Sequence, residues 1–380
     1  MNTKKNKYLT FQKSKILWDI RKESKKIWEH LCKKDKTALD KIIELEMFEK
    51  IPICKKLKVF KNKNLVRPNG SSRAYYIKLK SGGVLAIKGT EVFNSNLKNL
   101  FKEDSNNKLK NRPWSKFENF VYREQKIPLA FTVYEGMQEN ELSMKFQKKM
   151  LENFKSFEMA PVPLFIYEID RSTTKKYYHK IKPFLNDRSK KLTNIYLNEF
   201  KLGVGVYYYP HIPERVRFMQ NKNNQLKPIS KKIKTSKKLI EIISKMLISN
   251  YFPFSFKDHG IGQCIAPQNV TLEGGITDMG SLHNFKEVKT NKEFIQLFYC
   301  SIIILVQTIK EVLIYPKPDI KYEFDNPSMN SVMLSTFVWD ELRTLYIQNK
   351  KIVKKFDKRL EKIFVKKNFN NLKQIINELY

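Results

Sequence analysis

Asn269 and Asp278 carry side-chain oxygens of the kind that bind a hard divalent cation, and nine positions separate them in the chain. Two such oxygens can hold Mg²⁺ against the phosphates of a nucleotide. Each stands at the edge of a short apolar run, residues 270–272 (VTL) and 276–277 (IT), with Gly274 and Gly275 between them. A glycine turn there predicts a hairpin, which returns both side chains to one end of a sheet. Upstream, His259 precedes Gly260, and an unperturbed histidine titrates at about pH 6.5, where a general base is useful.

A second group of residues suits phosphate. Residues 74–79 and 84–87 read as two strands joined by Lys80-Ser81-Gly82-Gly83, and Lys88 ends the second. A lysine there presents a point charge on a long stem from a rigid strand, so it can reach nucleotide phosphates. Before this hairpin, residues 68–73 (PNGSSR) form a turn in which Ser71, Ser72 and Arg73 could contact phosphate beside a single glycine. Residues 139–157 are periodic, with Leu142, Phe146, Met150 and Phe154 four apart. Glu141 lies at the edge of that stripe and is the candidate to orient Lys88, with Glu124 and Glu135 as rivals.

Pro267-Gln268-Asn269, a short hairpin and Asp278-Met279-Gly280 resemble the metal-binding half of the protein-kinase-like fold. The Asn-to-Asp spacing is nearest to that of the selenoprotein O family of kinase-like AMP transferases, and more loosely similar to that of aminoglycoside phosphotransferases. The resemblance covers residues 74–285. It implies an α+β fold of two lobes, one small and β-rich, one larger and helical. It also implies ATP and Mg²⁺ as cofactors, Lys88 on the phosphates with Glu141 beside it, metal on Asn269 and Asp278, and transfer of phosphate or AMP to the hydroxyl of an acceptor it does not identify, a protein or peptide being one class of candidate.

The pattern has a gap. Five residues before Asn269, where kinases place an Asp, stands Cys264, and Gln268 stands where selenoprotein O has an Asp. Neither a thiol nor an amide replaces a carboxylate base at neutral pH. Three readings stay open: Asp258 or His259 takes the proton, the acceptor needs little deprotonation, or the chain is a pseudokinase that binds nucleotide and recruits a partner.

The surrounding elements follow from periodicity. Residues 11–50 read as helical, and residues 57–60 as a strand. Residues 159–169, bounded by Pro161 and Pro163, read as a loop and strand. Residues 200–209 read as a strand pair, and residues 172–178 are too polar to assign. Lysine-dense residues 227–238 read as a mobile loop or a polyanion patch before a helix over 239–247. Helices are expected over 291–314, 332–348 and 351–380. The division this suggests is a helical extension over 1–55, a nucleotide-binding lobe over 56–170 and a helical lobe over 171–380.

Net charge of +35 across 380 residues favours an acidic or anionic macromolecular partner. Nucleic acid is one such partner, and a nucleic-acid-binding protein with no nucleotide pocket is a further reading of the chain; it rests on charge, with weak support from the basic run 108–114 (KLKNRPW) and no recognised binding motif. Arg215 and Arg217, near His211, are scarce arginines suited to a phosphate or a salt bridge. Four scattered cysteines with no CxxC argue against zinc and for a reducing cytoplasm (or host cytosol, after non-classical delivery). The charged N-terminus argues against a signal peptide. The longest apolar run, 294–312, is interrupted by Gln296, Gln307 and Lys310, which favours a buried helix over membrane insertion.

Overall fold

A computed structural model describes residues 8–10, 15–47, 50–52, 65–66, 74–89, 131–157, 159–182, 187–216, 229–254, 264–267, 269–314, 329–353 and 356–366. The fold is mixed α+β. It divides into two compact units, Met1–Glu141 with Val162–Ile212, and Leu142–Pro161 with Pro213–Tyr380.

The first unit is built on an antiparallel sheet. Its strands are β2 (Lys15–Asp19), β4 (Leu65–Val66), β5 (Ala74–Lys78), β6 (Val84–Lys88), β7 (Val162–Glu168) and β8 (Gly203–Tyr209), in the order β2-β7-β8-β6-β5-β4. A separate pair joins β1 (Tyr8–Thr10) to β3 (Lys50–Pro52). All seven residues of β8 are buried, as a strand paired on both sides and covered on both faces requires. The helices are α1 (Ile20–Glu23), α2 (Lys25–Lys34), α3 (Lys36–Met47), the first half of α4 (Val133–Phe154), α5 (Arg171–Ile181) and α6 (Asp187–Phe200).

Several expectations are corrected here. Residues 15–19, taken with the N-terminal helix, are an edge strand of the sheet. The polar stretch after Asp170 is helix α5, and residues 203–209 are one strand, not two. Residues on both sides of the 170/171 boundary suggested by the sequence fall in the sheet-bearing unit. Strand β8 inserts between β6 and β7, and so carries residues 171–212 into the sheet-bearing unit.

Asp35 ties the N-terminal helices to this sheet. It is 2% exposed and caps α3 by accepting from Ala38 N at 3.1 Å and Thr37 Oγ1 at 2.7 Å. It also accepts from Ser81 in the β5–β6 turn and from the Tyr208 hydroxyl at 3.3 Å. Burial and the Asp35 carboxylate push the Tyr208 phenol well above its ordinary range.

The second unit is mainly helical: the rest of α4, then α7 (Ile229–Ile248), α8 (Asn291–Ile314), α9 (Met329–Lys350) and α10 (Lys358–Lys366), with the small pair β9 (Tyr251–Phe252) and β10 (His283–Asn284). The lysine-dense stretch is thus helical from Ile229. Phe252, Phe285 and Phe294 meet with centroids 4.2–4.9 Å apart, and Phe364 stacks on Trp339 and Tyr346. Helix α8 is long and apolar enough to cross a membrane, and here Leu297, Phe298, Leu305 and Ile309 are buried in the core. Of the helix expected over 351–380, α10 buries Leu360 and Phe364, whereas Ile352 precedes it and is exposed.

Candidate functional site

Lys88 ends β6 in the middle of the sheet, opposite Gly205 on β8. Its Nζ lies 2.5 Å from Glu139 Oε1, with the two side chains 16% and 10% exposed. The ammonium also sits over the Tyr207 ring, 4.3 Å from the centroid, and the Tyr207 hydroxyl donates to Glu139 Oε2 at 3.4 Å. The lysine is therefore held by a carboxylate and an aromatic face together, which fixes a long flexible stem in one place.

The carboxylate arrives on helix α4, and the sequence shows why the helix lies so close to the sheet. Thr132 caps it, accepting from Glu135 N at 3.1 Å, while Thr132 bridges to Leu202 at the entry to β8. A Cβ on Gly136 would stand 2.7 Å from the Phe131 ring, and one on Gly205 would stand 2.9 Å from the same ring. Phe131 thus occupies the room left by two missing side chains, one on the helix and one on the strand. Glu139 lies three residues beyond Gly136, on the face so brought down.

Glu141, expected to orient Lys88, is exposed two residues further on. The signal that finds Glu139 is Thr132-x-x-Glu135, a capping-box pattern from which the inward face can be counted. That face runs Glu139, Ser143, Phe146, Met150 at the true helical period. Among the rivals, Glu135 is half-buried on α4, and Glu124 lies outside the described residues.

The Asn269–Asp278 segment belongs to the second unit and does form a hairpin. Val270 bridges Ile276, Thr277 N and Oγ1 donate to Asn269 O at 2.8 and 3.1 Å, and Thr271 N donates to Gly275 O at 2.9 Å. Gly274 takes φ +79°, and a Cβ there would lie 2.6 Å from Lys238 of α7, so both its conformation and its room demand glycine. Thr235 of the same helix donates to Leu272 O. Residues 214–216 add a third extended segment: Val216 N donates to Val270 O at 2.8 Å and Leu272 N to Glu214 O at 2.9 Å.

Asn269 is consequently buried to 9% exposure, and Asp278 is half-buried, one of its oxygens accepting from Gly280 N at 2.9 Å. Asp278 follows directly on Thr277, whose backbone is bonded to Asn269, so the two oxygen-bearing residues share one end of the hairpin. Among the described residues no three His, Cys, Asp or Glu side chains converge to hold a metal. Mg²⁺ needs no such cage, since it is ordinarily bound by one or two protein oxygens together with substrate phosphates and water.

Cys264 is 1% exposed and packs in the apolar core of this unit, as a small hydrophobe does. Arg215 bridges Thr271, and its Nε makes no hydrogen bond among the described residues. Ser71, Ser72, Arg73, His259, Arg217, Gln268, the run 108–114 and the strand expected at 57–60 lie outside the described residues.

Comparison with known proteins gives no match: no family model fits the chain, and neither a curated protein nor a solved structure is similar to it.

Proposed function

We propose that this chain is a two-lobed, kinase-like Mg-ATP-dependent transferase acting on a hydroxyl acceptor. The observation that carries the reading is the Lys88–Glu139 pair. Removing two charges from water costs several kcal/mol for each ion, so a pair held this far from solvent is a weak device for stability. A cation fixed on a central strand is instead suited to a second anion, and nucleotide phosphates are the anion that the chain order suggests.

Lys88 would bind the phosphates, Glu139 and Tyr207 would hold its ammonium in position, and the oxygens of Asn269 and Asp278 would take Mg²⁺. When bound, Mg-ATP supplies an electrophilic phosphorus whose developing charge the metal stabilises. Phosphate and AMP transfer are both compatible with these roles. Ser71, Ser72 and Arg73 remain proposed phosphate contacts, and His259 the proposed proton acceptor.

One observation favours a second reading. Cys264, standing where a kinase has its base, is sealed in an apolar core and has no route to an acceptor hydroxyl. Unless His259 or Asp258 supplies the base, or the acceptor needs little deprotonation, the protein binds nucleotide without transferring it.

Calorimetry of ATP binding with and without Mg²⁺, on wild type and Asp278→Ala, tests both readings. Mg-dependent binding lost in the variant supports the metal site, and absence of ATP binding in wild type refutes the kinase-like function. Intact mass after incubation with ATP then separates the outcomes, a gain of one AMP or one phosphoryl group marking the transferred part.

A further inference from the structure

We propose that the cleft between α5 and α6 is a binding site for single-stranded nucleic acid. The cleft lies within the sheet-bearing unit, has a volume of about 740 Å³, and is independent of the Lys88 pair and of the metal hairpin. Its walls carry Arg171 and Lys175 from α5, Asn194 and Asn198 from α6, Lys201 just past α6, and Tyr178 between them. Its floor is apolar: Ile169 and Leu197 are each 5% exposed.

The chemistry of this lining is specific. Glu168 is the one acid in it, and Lys201 neutralises that acid at 2.9 Å, which leaves Arg171 and Lys175 as unopposed positive charge within the lining. Arg171 and Lys175 are exposed and one helical turn apart, a spacing at which both can reach a phosphate backbone. Asn194 and Asn198 are likewise exposed and one turn apart, and their amides can pair with the edges of unstacked bases. The Tyr178 hydroxyl donates to Lys190 O at 3.2 Å, which anchors the ring against α6 as a surface on which a base can stack.

A polymer fits better than a small phosphate because the charge continues past the cleft. Residues 171–201 hold nine lysines and arginines against two acids, so 31 of 380 residues contribute +7 of the chain's +35. Lys182 and Lys191 extend the exposed positive surface along both helices. A single strand fits better than a duplex because the amides and the ring need free base edges and faces. A lipid surface fits less well, since Ile169 and Leu197 form a buried floor and Ile195 is the single exposed large apolar side chain among the described residues of the two helices.

The test is fluorescence anisotropy of the full chain with a labelled oligouridine of about fifteen nucleotides across a salt series. Arg171→Glu/Lys175→Glu/Lys201→Glu should weaken binding at least about tenfold and lower the salt slope by about 1.4, as loss of the two phosphate contacts of Arg171 and Lys175 requires, with Glu168 also left unneutralised. A control of equal charge change, Lys286→Glu/Lys289→Glu/Lys292→Glu on exposed sites of the other unit, should cost under about threefold. Tyr178→Leu with Asn194→Ala and Asn198→Ala should weaken binding while leaving the salt slope unchanged, with circular dichroism confirming that each variant is folded. Equal losses in both charge variants would overturn the proposal, as would absence of oligouridine binding in wild type. So would binding to phosphatidylserine vesicles that the first variant abolishes while oligouridine binding persists.

Discussion

Lys88 and Glu139 are 51 residues apart in the chain and 2.5 Å apart in the fold, and neither residue sets that second distance. Phe131 does, by filling the room that Gly136 and Gly205 leave on the two elements that carry the pair. The pair depends on a wedge of one ring and two absent side chains, and this dependence can be tested.

Removing Glu139 should leave a mostly buried ammonium without its counter-charge. Glu139→Ala is expected to lower stability by about 2–4 kcal/mol in urea denaturation, because an uncompensated buried charge costs more than the pair gained. Glu141→Ala, at an exposed site, should stay within about 0.5 kcal/mol of wild type.

Gly205→Ala should destabilise by about 1–3 kcal/mol, since its Cβ would stand 2.7 Å from the Tyr207 ring and 2.9 Å from Phe131. Phe131→Leu relieves part of that crowding. The double variant should therefore be more stable than the sum of the two single losses, with a coupling of about 0.5–3 kcal/mol in thermal or urea melts.

Gly274→Ala alters no proposed metal ligand, yet its Cβ would meet Lys238 at 2.6 Å in a left-handed turn. The turn must shift, and the hairpin end bearing Asn269 and Asp278 with it. Mg-dependent ATP affinity is expected to fall about tenfold or more, as when supports of a metal ligand are lost, with Mg-independent binding little changed in calorimetry.

Acid should loosen the second unit through Asp357. Burial works to raise its pKa, but hydrogen bonds from the Arg359 backbone and guanidinium outweigh that and hold it below the ordinary value. A carboxyl lowered on folding stabilises fully above its unfolded pKa of about 3.9 and loses that contribution as pH falls further. Arg359 also donates to Phe285 O at 3.2 Å and lies over the Phe294 ring, so the pair fastens α10 to the core. Asp357→Asn should lower stability at pH 7 and flatten the loss between about pH 5 and 2 in denaturant melts.

The Asn269–Asp278 hairpin was legible in the sequence because its signals are local: Gly274-Gly275 between two short β-prone runs. The hairpin that ends in Lys88 was legible for the same reason. Glu139 was not, because its face of α4 is lined by Asn140, Ser143 and Gln147, polar residues that hide the buried side from a hydrophobicity count. A strict step of four from Leu142 then drifts round a helix of period 3.6, which is why Leu142 and Phe154 end up half-buried at its edges. Strand β2 was missed because Ile16, Leu17 and Ile20 also fit a helical spacing, and only pairing with β7, far along the chain, decides between the two.

The strand order has a consequence for synthesis on the ribosome. Strand β2 emerges about 150 residues before its partner β7, a wait of roughly 8–30 s at usual elongation rates. Strand β8, the last of the six to be made, then lies between β7 and β6. Until Tyr209 is translated, β2-β7 and β4-β5-β6 are separate fragments, each with an open apolar edge facing the place that β8 will fill. In the interval before that central strand closes the sheet, the nascent chain carries two unpaired strand edges, the feature through which incomplete sheets aggregate.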